Sequence, residues 1–238
     1  MAKYLNVEFG TGRIYERSTE KKEGYEEFTS SKGNTSYRKY YQKGLYGTLT
    51  AIEKRDSPIG EQIQLTLKDK SGEYNNLQFG LYDANGNVDN RFAESLIRTL
   101  PNVKINADYR IFPYVIEKSE TSKYGSSGVS IVRADLEAET ANKEDKVPVA
   151  YRYLAKDEIA GPNDVPKLVF KEQRGKNRPT AASMEEKTNF LYDVLMRFVT
   201  PSTKKEEPSA PAPAKKPEPA SAQSFVVDSP ASEQKLPF

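Results

Sequence analysis

Between residues 44 and 136 the chain reads as three strands, one helix and two further strands, and this order restricts the fold more than any other feature. The runs GLYGTLTAIEK and EQIQLTLK alternate apolar and polar residues, with Ile63, Leu65 and Leu67 on one face and Gln62, Gln64 and Thr66 on the other. A period of two over that length predicts half-buried strands. Turn-forming residues at 55–60 and 69–72 lead into a third strand, EYNNLQFGLYD, with Leu77, Phe79 and Leu81 on one face and Tyr74, Gln78 and Tyr82 on the other. Phe92, Leu96, Ile97 and Leu100 then recur at helical spacing until Pro101 stops them. Val103, Ile105, Ala107, Tyr109 and Ile111 restart the alternation, Pro113 bends or edges that strand, and a Gly/Ser loop around Tyr124 leads into VSIVRADL.

A β-β-β-α-β-β order is what a five-stranded oligonucleotide-binding barrel, the OB fold, needs, with the short helix plugging one end. The expected class is therefore mainly β: an OB-fold barrel with extra C-terminal strands and one amphipathic helix, then a disordered tail. Residues 1–36, polar and mixed in charge after a possible strand at 4–9, are expected to form an N-terminal arm or mobile loop. Residues 37–200 carry the barrel and its extension. Within the extension, VPVAYRYL and PKLVFKEQRGKNRP read as added strands. Phe190, Leu191, Val194, Leu195, Phe198 and Val199 form an apolar helical stripe, with Ser183 and Glu186 as a capping box. This face either docks on the barrel or binds a second subunit, making a homo-oligomer. Residues 201–224 are a Pro-rich disordered linker, and 225–238 a peptide in which apolar residues return.

Composition narrows the chemistry. The chain has no Cys and no His, which removes disulfides, thiolate sites and the commonest general base and metal ligand. Neither an enzyme nor a cofactor is expected. A net charge of +2 means that any attraction for phosphate depends on where the charges sit. No run approaches the ~20 apolar residues of a membrane span, and the N-terminus lacks an apolar signal core, so a cytoplasmic protein without membrane association is expected.

The densest interleaving of aromatic and basic residues is at 37–43, with Tyr37, Arg38, Lys39, Tyr40, Tyr41 and Lys43. Rings that stack on bases beside cations that neutralise phosphates suit single-stranded nucleic acid. Tyrosines that simply pack are the alternative. Further stacking candidates are Tyr46, Tyr74, Tyr82 and Phe112, with Arg110 in phase with Phe112, and Tyr124 at a hairpin tip. Tyr109 and Tyr114 are candidates too, and the fourth strand reads either way: Tyr109 is in phase with Ile105 and Ile111, Arg110, Phe112 and Tyr114 in the opposite phase, and Arg110 and Phe112 are favoured over Tyr109. Lys171, Arg174 and Lys176 make the 167–178 segment locally basic, either a phosphate-tracking rim or a solvated hairpin. The G-x-x-x-x-G-K-[ST] spacing of a phosphate loop is absent.

Barrel, Pro-rich linker and a terminal Leu236, Pro237 and Phe238 together resemble the single-stranded DNA-binding proteins of bacteria and, more closely, of bacteriophages. The resemblance implies a protein that coats single-stranded DNA without sequence preference during replication or recombination. It also implies that the terminal Leu236, Pro237 and Phe238 recruit replication and repair proteins, in the host cytoplasm if the chain is phage-encoded. A terminal aromatic and its free carboxylate suit an apolar pocket edged by a basic residue. Two features depart from that family: the tip is not preceded by a run of acids, and the chain has no Trp, which leaves stacking to tyrosines.

Two other readings remain open at this point. A structural or adaptor protein, virion-associated, would use the barrel only as a scaffold. A carboxylate enzyme would need Asp135, Glu137 and Glu139 to hold a hard cation such as Mg²⁺ through oxygen ligands.

Overall fold

Alternating apolar residues place one face of each strand into a common core, and the chain is mainly β, with two α-helices among the described residues. The computed structural model describes residues 2–30, 33–58, 60–83, 86–88, 90–118, 125–154, 161, 164–173 and 175–200. In order the elements are β1 (Lys3–Val7), β2 (Ile14–Ser18), β3 (Glu26–Thr29), β4 (Thr35–Tyr41), β5 (Leu45–Ser57), β6 (Gly60–Lys68), β7 (Tyr74–Gly80), α1 (Arg91–Thr99), β8 (Ala107–Ile116), β9 (Ser126–Arg133), β10 (Phe170–Gln173), β11 (Lys176–Pro179) and α2 (Ala181–Phe198).

The first nine strands form one sheet in the order β3-β4-β2-β1-β7-β6-β5-β8-β9. All neighbours are antiparallel except β1 and β7, which run parallel with Leu5 opposite Leu77. This corrects the reading of 1–36 as an arm. Its segments are short, and Leu5 and Ile14 are its only fully buried apolar side chains among the described residues. The rest of the segment reads as polar because most of its described side chains are half-buried or exposed.

The sheet also curls. β1 and β8 are four strand steps apart in its order, which is ~19 Å across a flat sheet. Yet a Cβ added to Gly12, in the turn after β1, would lie 3.0 Å from Tyr114 Cα in β8. Gly12 has φ +74°, so both the approach and the left-handed backbone call for glycine. The edge of β7 is occupied by β1, and among the described residues β7 does not pair with β9. The expected five strands thus form part of a wider curled sheet.

Ile63, Leu65, Leu67, Leu77, Phe79, Leu81 and Tyr109 are all buried on the inner face, each worth about 1.5–3 kcal/mol on removal from water. Tyr109 keeps its hydroxyl satisfied by accepting a bond from Lys104 N at 2.9 Å. On the outer face Gln64 is buried too, donating to Glu53 at 2.9 Å and accepting from Gln78 at 3.2 Å. Burial without those partners would be costly.

α1 starts at Asn90, whose side chain accepts from Phe92 N, and buries Phe92, Ala93, Leu96 and Ile97. α2 packs on α1 through Leu191, Val194 and Leu195, and through an ion pair between buried Lys187 and Glu94 at 3.1 Å. Thr200 N donates to Ile52 O at 2.7 Å, tying the end of α2 to β5. The cap of α2 is Thr180, whose hydroxyl accepts from Ser183 N. The expected cap, Ser183, is instead buried inside the first turn. Both positions offer a hydroxyl, but Thr180 is the one with extended backbone. No helix among the described residues is long and apolar enough to cross a membrane.

The added strands differ from expectation. VPVAYRYL forms no strand; it follows a lone bridge from Lys146 to Val132 and then bonds to α1, with Ala150 N donating to Arg98 O at 2.9 Å. PKLVFKEQRGKNRP yields β10 and β11, an exposed hairpin separate from the main sheet.

Candidate nucleic-acid interface

Alternation divides the aromatic-basic run at 37–43 between the two faces of β4. Arg38 and Tyr40 turn outward, with Tyr15 directly opposite Tyr40 on β2. The Arg38 guanidinium carbon lies 3.2 Å from the Phe28 ring centre and 4.2 Å from that of Tyr15. Tyr15 is 6.1 Å from Tyr40, centre to centre, and Arg13 caps Tyr40 at 3.9 Å. Phe28, Arg38, Tyr15, Tyr40 and Arg13 therefore make one ladder of rings and guanidiniums across β3, β4 and β2, each cation over a ring favourable by about 0.5–2 kcal/mol.

Glu8 anchors this ladder. Its carboxylate accepts from Arg38 at 2.9 Å, Arg13 at 3.1 Å and the Tyr40 hydroxyl at 3.3 Å, and from the Thr11 hydroxyl. Partial burial pushes its pKa up, but the hydrogen bonds from Thr11 and Arg13 and the charges of Arg13 and Arg38 outweigh that and hold it below the ordinary value. A carboxyl with a lowered folded-state pKa stabilises the fold above its ordinary value of 4.5, and the contribution is lost as pH falls through the folded value. The melting temperature of the native chain is thus expected to exceed that of Glu8→Gln at neutral pH and to converge with it in acid. Parallel curves from pH 7 down to pH ~2 would remove Glu8 as the anchor.

A second group faces the first. Arg110 pairs across strands with Tyr46, and its guanidinium lies 5.8 Å from that ring and 5.1 Å from Phe112. Its Nε donates to Lys43 O at 2.7 Å, which fixes the turn between β4 and β5 to β8. Gly44 in that turn has φ +81°, and a Cβ there would lie 2.7 Å from Ile111 O. Any other residue would push the turn away. The two groups share a cavity of 180 Å³ whose walls include Arg13, Tyr40, Phe112 and Tyr114. Across the turn lies a wider groove of 430 Å³, lined by Tyr40, Lys43, Tyr46 and Asn75 among others.

Of the expected site residues, Arg38, Tyr40, Lys43, Tyr46, Arg110 and Phe112 come together here. Tyr37 and Lys39 lie on the opposite face of β4, and so does Tyr41, although part of it still lines both cavities. Tyr41 packs on the core; burial first, and then the Glu16 carboxylate that accepts from its hydroxyl at 3.3 Å, raises its pKa above the ordinary phenol value. Tyr74 is exposed and opposite Lys68, on the same outward face as Thr48. Tyr82 is elsewhere: it packs against the core, and burial followed by the charge of Glu61 pushes its pKa up to about 12. Lys171 and Lys176 sit on the β10–β11 hairpin, away from the sheet. Tyr124, Arg174, Leu236, Pro237 and Phe238 lie outside the described residues. The acids of the carboxylate reading do not converge. Asp135 accepts from the backbone of Glu137 and Ala138, and Glu139 pairs with Lys70 at 2.6 Å.

Sequence reasoning passed over Glu8, Arg13, Tyr15 and Phe28, because they fell in the supposed arm. The available signal was Arg13, Tyr15 and Arg17 at a period of two, with a second such pair in Arg38 and Tyr40. Compared with protein-family models, curated proteins and solved structures, the chain has no match.

Proposed function

We propose that this chain binds single-stranded DNA without sequence preference, through the groove between the Tyr40 and Phe112 walls, and acts in replication or recombination, in the manner of phage single-stranded DNA-binding proteins. The observation that carries the reading is that rings from distant strands, with Arg13, Lys3 and Lys43, line two cavities that adjoin at Tyr40 and Gly44. Half-exposed rings accept bases of any identity at about 1–3 kcal/mol each, and cations beside them follow the backbone. The neighbour order β7-β6-β5-β8-β9 supports an open OB-type barrel, in which β1 takes the edge where a closed barrel would place its last strand. Leu236, Pro237 and Phe238 are proposed to recruit replication or repair proteins from the end of a Pro-rich tether.

Fluorescence anisotropy of a labelled oligothymidylate, at two salt concentrations and with duplex competitor, tests the reading. The expected result is binding that weakens with salt, by about 0.7 in the log-log slope per phosphate contacted, and that duplex does not displace. No binding at low salt would overturn it and favour the adaptor reading.

A further inference from the structure

The groove does not end at the turn between β1 and β2. Val115 lines both the cavity at Tyr40 and a second of 200 Å³ on the other side of that turn, whose walls are Phe9, Gly10, Arg91, Phe92 and Ser127. Phe9 is 67% exposed, the most exposed large hydrophobic side chain among the described residues. Its ring meets Phe92 edge to face at 6.1 Å, so it is held in place without being covered. Arg91 is exposed at the start of α1, on the same cavity. The Ser127 hydroxyl oxygen is buried there and has no hydrogen-bond partner among the described residues.

An exposed ring held from one side, a guanidinium and an unsatisfied hydroxyl in one cavity are what a nucleotide takes: a face to stack on, a charge for its phosphate and a hydrogen-bonding group. Phe9 does little for the fold, since most of its surface stays in water. We propose that Phe9 and Arg91 form a further nucleotide subsite, which carries a single strand past the Tyr40 and Phe112 groove and over the β1–β2 turn. This rests on the single-stranded DNA reading above. Phe9 stacks a base, Arg91 meets the adjoining phosphate, and Ser127 bonds to that nucleotide by rotating its hydroxyl outward.

The test is binding of labelled oligothymidylates, about 4 to 16 nucleotides long, to the full chain and to Phe9→Ala, Phe9→Leu and Arg91→Gln. Phe9→Leu keeps an apolar contact with Phe92 but offers no ring. Both Phe9 variants are expected to lose about 5- to 100-fold in affinity for the longest oligomers and nothing for the shortest, which fit within the first groove. Arg91→Gln is expected to reduce the salt slope for long oligomers by about 0.7. Native-like binding of long oligomers by both Phe9 variants, or an equal loss at every length, overturns the subsite while leaving the first groove standing. Failure of the unaltered chain to bind any oligomer overturns the parent reading, and the subsite with it.

Discussion

Replacing Tyr40 and Phe112 together with alanine is expected to weaken oligothymidylate binding by about 2–6 kcal/mol, roughly 30-fold to 10⁴-fold, with little loss of stability. The two rings line one cavity from different strands, and each is only half-buried, so removing them takes away stacking surface and not core. Tyr82→Ala supplies the contrast. Its ring is a stacking candidate by sequence but packs on the core and lines neither cavity, so its loss is expected to lower the melting temperature and leave the affinity of folded protein within about twofold. Anisotropy titrations with circular-dichroism melts of all three proteins separate the cases. A double variant that melts normally and binds normally would remove this groove as the binding site.

The largest expected effect on stability is at the contact between the helices. Lys187→Met removes the ammonium that faces the Glu94 carboxylate, in a pair whose side chains are 3% and 9% exposed. Breaking one side of such a pair costs about 3–5 kcal/mol, because the remaining charge stays desolvated. Arg98, whose own pKa is lowered by burial and raised in part by Glu94, remains near enough to soften that cost. A fall of about 6–20 °C in melting temperature is expected, with Lys187→Met/Glu94→Leu recovering much of it. A single variant as stable as the native chain would show that the ammonium carries no such role.

The middle of the chain was legible because its strands are long and one-sided. Ile63, Leu65, Leu67, Leu77 and Phe79 fall on one face at a strict period of two, and Phe92, Leu96 and Ile97 mark the helix just as clearly. The first 30 residues were not legible, because β1 and β2 bury one fully enclosed apolar residue each and turn rings and arginines outward. That signal is indistinguishable from a polar loop until the partner strand is known. The run at 37–43 was visible as a cluster, but composition does not say which face a residue takes; only its pairing with β2 separates Arg38 and Tyr40 from Lys39 and Tyr41. The cap of α2 was missed for a similar reason: two hydroxyl residues three apart both suit a helix start, and the backbone chooses between them.

The parallel pairing of β1 with β7 also sets an order of events in time. β1 leaves the ribosome first and pairs locally with β2, but its other neighbour, β7, is made only about 70 residues later. The β5-β6-β7 meander closes through short hairpins of its own. Because β2 and β4 are joined to the sheet only by way of β1, the wall that carries Arg13, Tyr15, Arg38 and Tyr40 can pair within itself early but docks on the meander only through the β1–β7 contact. The two walls of the groove are therefore separate pieces in a nascent chain, and they meet only once β1 has found β7 and β8 has brought Phe112.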